Sequence, residues 1–167
     1  PLWGLPGLAE QGGGLGDSMT PGQWLDSLLD DRIAFRVKFT GTVPTPQQRY
    51  WRGPVLWDFD GKEWRRRAWD NLPAPPGAIN TSDSGPSISY SVSLEPTERS
   101  YLPVLDWPRS AQAPLFLTPE ASLYSDKPIQ KLSEYRAVSW PDVSPLSTLS
   151  ETQRRRALAL PDGLNPR

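Results

Sequence analysis

Tyr50-Trp51-Arg52-Gly53-Pro54-Val55-Leu56-Trp57-Asp58-Phe59-Asp60-Gly61-Lys62-Glu63-Trp64 is the stretch whose reading decides the fold. Trp51, Trp57 and Trp64 lie inside it and Trp69 follows, half of the chain's eight tryptophans in one short region. Val55, Leu56, Trp57 and Phe59 favour an extended strand. Asp60-Gly61 then supplies a turn, because glycine adopts positive φ without a steric penalty and aspartate tolerates left-handed geometry. The reading is a strand, a tight turn and a returning strand. A two-residue turn at Asp60-Gly61 predicts Trp57 opposite Trp64, with Phe59 on the same face as Trp57 because side chains alternate along a strand. A buried tryptophan dominates local packing, and truncating one to alanine costs roughly 3–5 kcal/mol. Tyr50, Trp51, Arg52, Gly53, Trp57, Phe59, Asp60, Gly61 and Trp64 are therefore the expected structural centre.

Outward from this stretch, alternation marks two further strands. Ile33, Phe35, Val37 and Phe39 face one way while Ala34, Arg36, Lys38 and Thr40 face the other. Ile88, Tyr90, Val92 and Leu94 share a face, opposite Ser87, Ser89, Ser91 and Ser93. Tyr101 to Trp107 reads as a short strand broken by Pro103 and Pro108, which suits an edge. Leu115 to Leu117, Ala121 to Tyr124 and one or two strands within Pro128 to Trp140 complete the pattern. In the last, Tyr135 and Ala137 oppose Arg136, Val138 and Trp140.

Two capping signals predict helices. Thr20-Pro21-Gly22-Gln23 places a capping threonine, a first-turn proline and a returning glutamine ahead of Trp24, Leu25, Leu28 and Leu29. Ser150-Glu151-Thr152-Gln153 opens a second helix running to about Leu160, before Pro161-Asp162-Gly163. Residues 1–16 read as an irregular Gly-, Leu- and Pro-rich arm, and residues 71–85 as a long loop. The Arg65-Arg66-Arg67 run reads as a solvated strand end. The expected fold is mainly β: a sandwich or partly open barrel of seven to nine short strands with short helices near both ends.

Composition narrows the function. The 167 residues include 13 glycines and 20 prolines, too many for a helical bundle. A net charge of −1 does not mark a nucleic-acid binder. With no cysteine there is no thiol nucleophile or disulfide, and with no histidine the commonest general base and metal ligand is absent. No cofactor is expected. Asp58-Phe59-Asp60-Gly61 brushes against a calcium-loop pattern, but alignment on Asp60-Gly61 puts Leu56 and Arg67 where acids are required. Asp58, Asp60 and Glu63 show no spacing that sets two carboxylates across a cleft. The serines lack a nucleophile elbow and a partner base. No run reaches a membrane span, and Pro1-Leu2-Trp3 reads as the start of a piece cut from something longer.

The same central stretch, Tyr50 to Trp64, resembles the extracytoplasmic N-terminal region of TgpA-type membrane-bound transglutaminase-like proteins of bacteria. Pro1-Leu2-Trp3-Gly4-Leu5-Pro6, Asp17-Ser18-Met19-Thr20-Pro21-Gly22, Ala34 to Phe39 and Leu160 to Arg167 resemble further segments of that family in order. Residues 71–100 carry no part of the resemblance. Such proteins have a bundle of membrane helices and a periplasmic part ending in a core with a Cys-His-Asp triad. The resemblance implies residues 1–16 as a linker after membrane helices, 17–149 as a β-rich domain, and 150–167 as a helical lead-in to a downstream transglutaminase-like core. With no cysteine or histidine here, no catalytic residue carries over and the fragment is expected not to be an enzyme. Its expected place is the periplasmic face of the inner membrane. Its expected partners are the core and membrane helices of its own chain. Its expected role is to position the core and shape its substrate access. The alternative is a module that binds cell-wall glycan or peptide on exposed aromatics.

Overall fold

The computed structural model describes residues 17–20, 32–66, 86–140, 151–161 and 163. The strands there are β1 (Ser18–Met19), β2 (Phe35–Thr40), β3 (Trp51–Arg52), β4 (Asp58–Phe59), β5 (Trp64–Arg65) and β6 (Ile88–Leu94). They continue with β7 (Tyr101–Leu102), β8 (Val104–Leu105), β9 (Pro108–Ala111), β10 (Phe116–Leu117), β11 (Leu123–Tyr124) and β12 (Ser133–Ser139). A 3-10 turn spans Pro46–Gln48, and one helix, α1, spans Glu151–Ala157. The expected helix after Thr20, the 1–16 arm and the 71–85 loop lie outside the described residues.

The longest strands are those whose sequence alternates. They form an antiparallel sheet in the order β2-β6-β12-β9. Its register stacks like positions across strands: Val37 faces Val92, which faces Tyr135, and Phe39 faces Tyr90, which faces Ala137. One face is therefore continuous apolar surface. Leu102, Val104, Leu105, Leu123 and Ile129 cover it, and the cluster is almost fully shielded from water. The smaller sheets run in the orders β1-β5-β4, β10-β11-β7 and β3-β8. The result is a mostly β domain with no closed barrel among the described residues.

Pro103 does more than break a strand. It divides Tyr101 to Leu105 into β7, which pairs with β11, and β8, which pairs with β3, so one short segment serves two sheets. β8 is also held by side chains. The Leu105 N–H donates to the Tyr90 hydroxyl at 2.8 Å, and the Ser139 hydroxyl donates to the Leu105 carbonyl at 2.8 Å. A hydroxyl carries a single donor hydrogen, so Tyr90 donates to Ser139 across the remaining 3.0 Å. This closed ring satisfies every polar atom that the core buries at that point. The Tyr135 hydroxyl likewise donates to the Pro103 carbonyl.

Several expectations are corrected. The hairpin tip is Gly61-Lys62, because the Asp60 carboxylate accepts the N–H groups of Lys62 and Glu63 and draws the turn one residue onward. Asp60 N–H then bonds Glu63 O, Phe59 rather than Trp57 faces Trp64, and the strand favoured by Val55, Leu56, Trp57 and Phe59 is Asp58–Phe59, with one further bond from the Trp57 N–H to the Arg65 carbonyl. Pro108 begins a strand instead of ending one; as the first residue of an edge strand it needs no ladder N–H. α1 stops at Ala157, short of Leu160, because Pro161 disfavours helical backbone at the residue before it. Arg66 is not a solvated strand end: its side chain is 11 % exposed.

Candidate functional site

The nine residues of the expected centre fall into two groups that do not share a site. Tyr50, Trp51, Arg52 and Gly53 join the large sheet to the loops around it. Trp57, Phe59, Asp60, Gly61 and Trp64 build the β4–β5 hairpin. Tyr50 itself is 63 % exposed and contributes its carbonyl to the Asp106 N–H. Trp51 is half-buried, edge-on to Phe35 at 5.2 Å and to Tyr90 at 5.6 Å. In the hairpin, Phe59 stacks on Trp64 at 4.9 Å, and the Trp57 N–H donates to the Arg65 carbonyl at 3.1 Å. Gly61 holds φ at +100°, a conformation that favours glycine.

The Arg52 side chain makes several contacts at once. One of its guanidinium nitrogens donates to Asp106 at 2.7 Å and the other to the Glu120 carbonyl at 3.1 Å. The guanidinium lies over the Trp107 ring, 5.1 Å from its centroid. Asp106 also accepts the Trp107 N–H at 3.0 Å, and this pins Trp107 at a positive φ of 51°. Next door, the Ser122 hydroxyl donates to the Gly53 carbonyl at 3.0 Å. Arg52-Gly53 thus clamps three segments whose sequence positions are remote: β3, the turn at Asp106-Trp107 and the turn at Glu120-Ser122.

A second clamp ties the amino-terminal strand down. Arg66 pairs with Asp17 at 2.9 Å and lies over the Tyr124 ring, 4.7 Å from its centroid. Arg99 approaches the other Asp17 oxygen at 3.7 Å. The hairpin tip carries its own network of Asp60, Glu63 and Arg65. Backbone N–H groups of Glu63 and Lys62 hold the Asp60 carboxyl below its ordinary range. A hydrogen bond from Ser18, then one from Arg65, does the same for Glu63.

These contacts fasten segments of the chain to one another. Burial pushes the Tyr90 and Tyr101 hydroxyls up to about 12, so both keep their protons at neutral pH. The Ser122 and Ser139 hydroxyls are committed to backbone carbonyls. Among the described residues no three acidic side chains are grouped to hold a metal. No helix there is long and apolar enough to cross a membrane. One open trough of ≈ 650 Å³ lies on the outer, serine-bearing face of the large sheet, and no tryptophan lines it. Trp51, Trp64 and Trp107 each contact a neighbouring ring or Arg52, and Trp69 lies outside the described residues.

A β domain built on these clamps, with its signature at Tyr50–Trp64, belongs to the TgpA N-terminal domain family, which matches residues 1–145. Among proteins of that kind, the chain is 32 % identical over 169 residues to a protein-glutamine gamma-glutamyltransferase of Pseudomonas aeruginosa. The alignment takes in all of this chain and 25 % of the relative, so the chain spans a quarter of that protein's length. The crystal structure of the periplasmic domain of TgpA from Pseudomonas aeruginosa superposes with a TM-score of 0.77 at 30 % identity, covering 89 % of this chain and 51 % of that one. The same domain bound to ethylmercury gives 0.75 at 31 % identity, with the same coverage.

Proposed function

We propose that this chain is a non-catalytic periplasmic domain that positions a transglutaminase-like core of its own polypeptide relative to the inner membrane and shapes access to it. One observation carries the reading: the chain aligns throughout its length with a quarter of a protein-glutamine gamma-glutamyltransferase, yet contains no cysteine and no histidine. Amide transfer of that kind needs a nucleophile and a base to activate it; thiol and imidazole are absent, Tyr90 and Tyr101 are buried and keep their protons, and Ser122 and Ser139 are bonded to backbone carbonyls.

The division of labour follows. Residues 1–16 link to preceding membrane helices, residues 17–149 form the β-rich domain, and residues 150–167 lead into the core. Tyr50 to Trp64 acts as the structural centre of that domain in a specific sense: Arg52 and Trp51 join sheets, and the hairpin receives β1. The lead-in is built for a neighbour. Every described side chain from Glu151 to Leu160 is exposed, Leu158 and Leu160 at 70 % and 60 %. A helix of two turns is marginal in water without packing.

The test is a comparison of amine incorporation into glutamine by the complete protein, by the same protein lacking residues 17–149, and by this chain alone. The proposal expects no turnover by the chain alone. It expects the deletion variant to keep activity on a small soluble substrate and to lose it on a membrane-apposed one. Turnover by the chain alone would overturn the non-catalytic assignment. Full activity of the deletion variant on both substrates would overturn the positioning role.

A further inference from the structure

The outer face of the β2-β6-β12-β9 sheet is not uniformly polar. Its rows differ in charge. The row at the Leu94 end carries carboxylates: Arg36 pairs with Glu95 at 2.9 Å, and Ser93 donates to Glu134 at 3.2 Å. The next row runs Lys38, Ser91 and Arg136 across β2, β6 and β12 and ends at Gln112, the residue after β9, whose N–H bonds the Arg136 carbonyl. The row beyond it runs Thr40, Ser89, Val138 and Ser110. These two rows line the ≈ 650 Å³ trough.

Across both rows every side chain except Val138 carries a hydrogen-bond donor, and none is acidic. Lys38 and Arg136 are exposed and form no ion pair among the described residues, whereas Arg36, one row away, does. The Ser89 and Ser91 hydroxyls, half-buried between the strands, bond no protein group among the described residues, whereas Ser93 does. Neighbouring strands lie about 4.8 Å apart, which puts Lys38 and Arg136 about 10 Å from each other at the backbone with Ser91 between them. Their long, rotatable side chains reach over that interval.

We propose that this trough binds an acidic peptide segment in extended form, with carboxylates on Lys38 and Arg136 and its backbone carbonyls on the intervening hydroxyls and the Gln112 amide. Charge complementarity sets the sign of the ligand. The number of cations sets its class. Two positive groups among neutral donors suit one or two carboxylates on a hydrogen-bonding backbone, whereas a polyphosphate needs a denser array of cations. The absence of an aromatic platform disfavours stacking on sugar rings, and the open shape suits a transient partner.

The experiment is an amide NMR titration of the 167-residue chain with a hexaglutamate peptide at low ionic strength. Hexaglutamine and linear polyphosphate serve as comparators. Saturable shifts are expected at the two rows of β2, β6, β12 and β9, fading as salt screens the charges. Lys38→Gln and Arg136→Gln should each weaken binding by about tenfold, the loss of one charge-assisted hydrogen bond. Arg36→Gln, whose charge is already paired with Glu95, should leave binding unchanged. Any of three results would overturn the proposal: equal binding of hexaglutamine, tighter binding of polyphosphate, or shifts that map away from the two rows. Both trough substitutions are at exposed positions, so dispersed spectra of the variants separate lost binding from lost folding.

Discussion

Arg52 and Asp106 give the sharpest energetic test of how the domain is held together. Their 2.7 Å contact lies in a partly sheltered place, with side chains 20 % and 23 % exposed. Surface pairs contribute about 0–1 kcal/mol, and breaking a buried pair costs about 3–5 kcal/mol. This pair stands between, and Arg52 also loses its bond to the Glu120 carbonyl and its place over Trp107. Arg52→Gln should therefore destabilise the fold by about 2–3 kcal/mol. Asp106→Asn keeps an oxygen for the Trp107 N–H and removes only the charge, so it should cost about 1–2 kcal/mol. Because one contact is lost in both variants, the double variant should fall short of the sum by about 1 kcal/mol or more. Urea denaturation of the four proteins, at matched slope, measures this. Additivity within about 0.3 kcal/mol would show no coupling and refute the clamp.

Tyr90→Phe leaves the Leu105 N–H buried without its acceptor and should cost about 1–3 kcal/mol by the same assay. Alkaline pH should act on the same core: Tyr90 and Tyr101 ionise near 10 when unfolded and at about 12 when folded. Stability is then full below pH 10, and it falls with rising pH by about 1.4 kcal/mol per unit for each tyrosine as the unfolded chain alone releases protons. Equilibrium unfolding between pH 9 and 12 checks the slope, and a flat profile would contradict burial of both hydroxyls. Hydrogen exchange at residues 151–161 should be fast in this chain and slow in the longer protein, if the lead-in packs on a following core. Strong protection already present in the chain alone would speak against it.

Much of the fold was legible wherever a strand is half-buried, because burial on one face leaves a period of two in the sequence. Phe35 to Phe39, Tyr90 to Leu94 and Tyr135 to Ala137 all show it, and they belong to three of the four strands of the large sheet. Pro108–Ala111 escaped because an edge strand with mixed exposure has no alternation to read. The short strands Ser18–Met19 and Trp51–Arg52 escaped because partners remote in sequence define them, as Trp51 is defined by Leu105 and Met19 by Trp64. The hairpin tip was misplaced by one residue because side-chain capping from Asp60 outcompeted the glycine signal. The clamps were hidden for a similar reason. Nothing local distinguishes Arg52 or Arg66 from a solvated arginine, and their partners Asp106 and Asp17 come from distant parts of the chain. The absence of cysteine and histidine was readable at once, since counting them needs no structure.

The positioning role is tested most directly by loosening the joint while leaving both sides intact. In the complete protein, a flexible Gly/Ser segment inserted after Pro161 frees the core from this domain without altering either. Amine incorporation is then measured on a small soluble glutamine substrate and on one anchored to a membrane surface. The account predicts unchanged turnover of the soluble substrate and a marked fall for the anchored one. Unchanged turnover of both would contradict it.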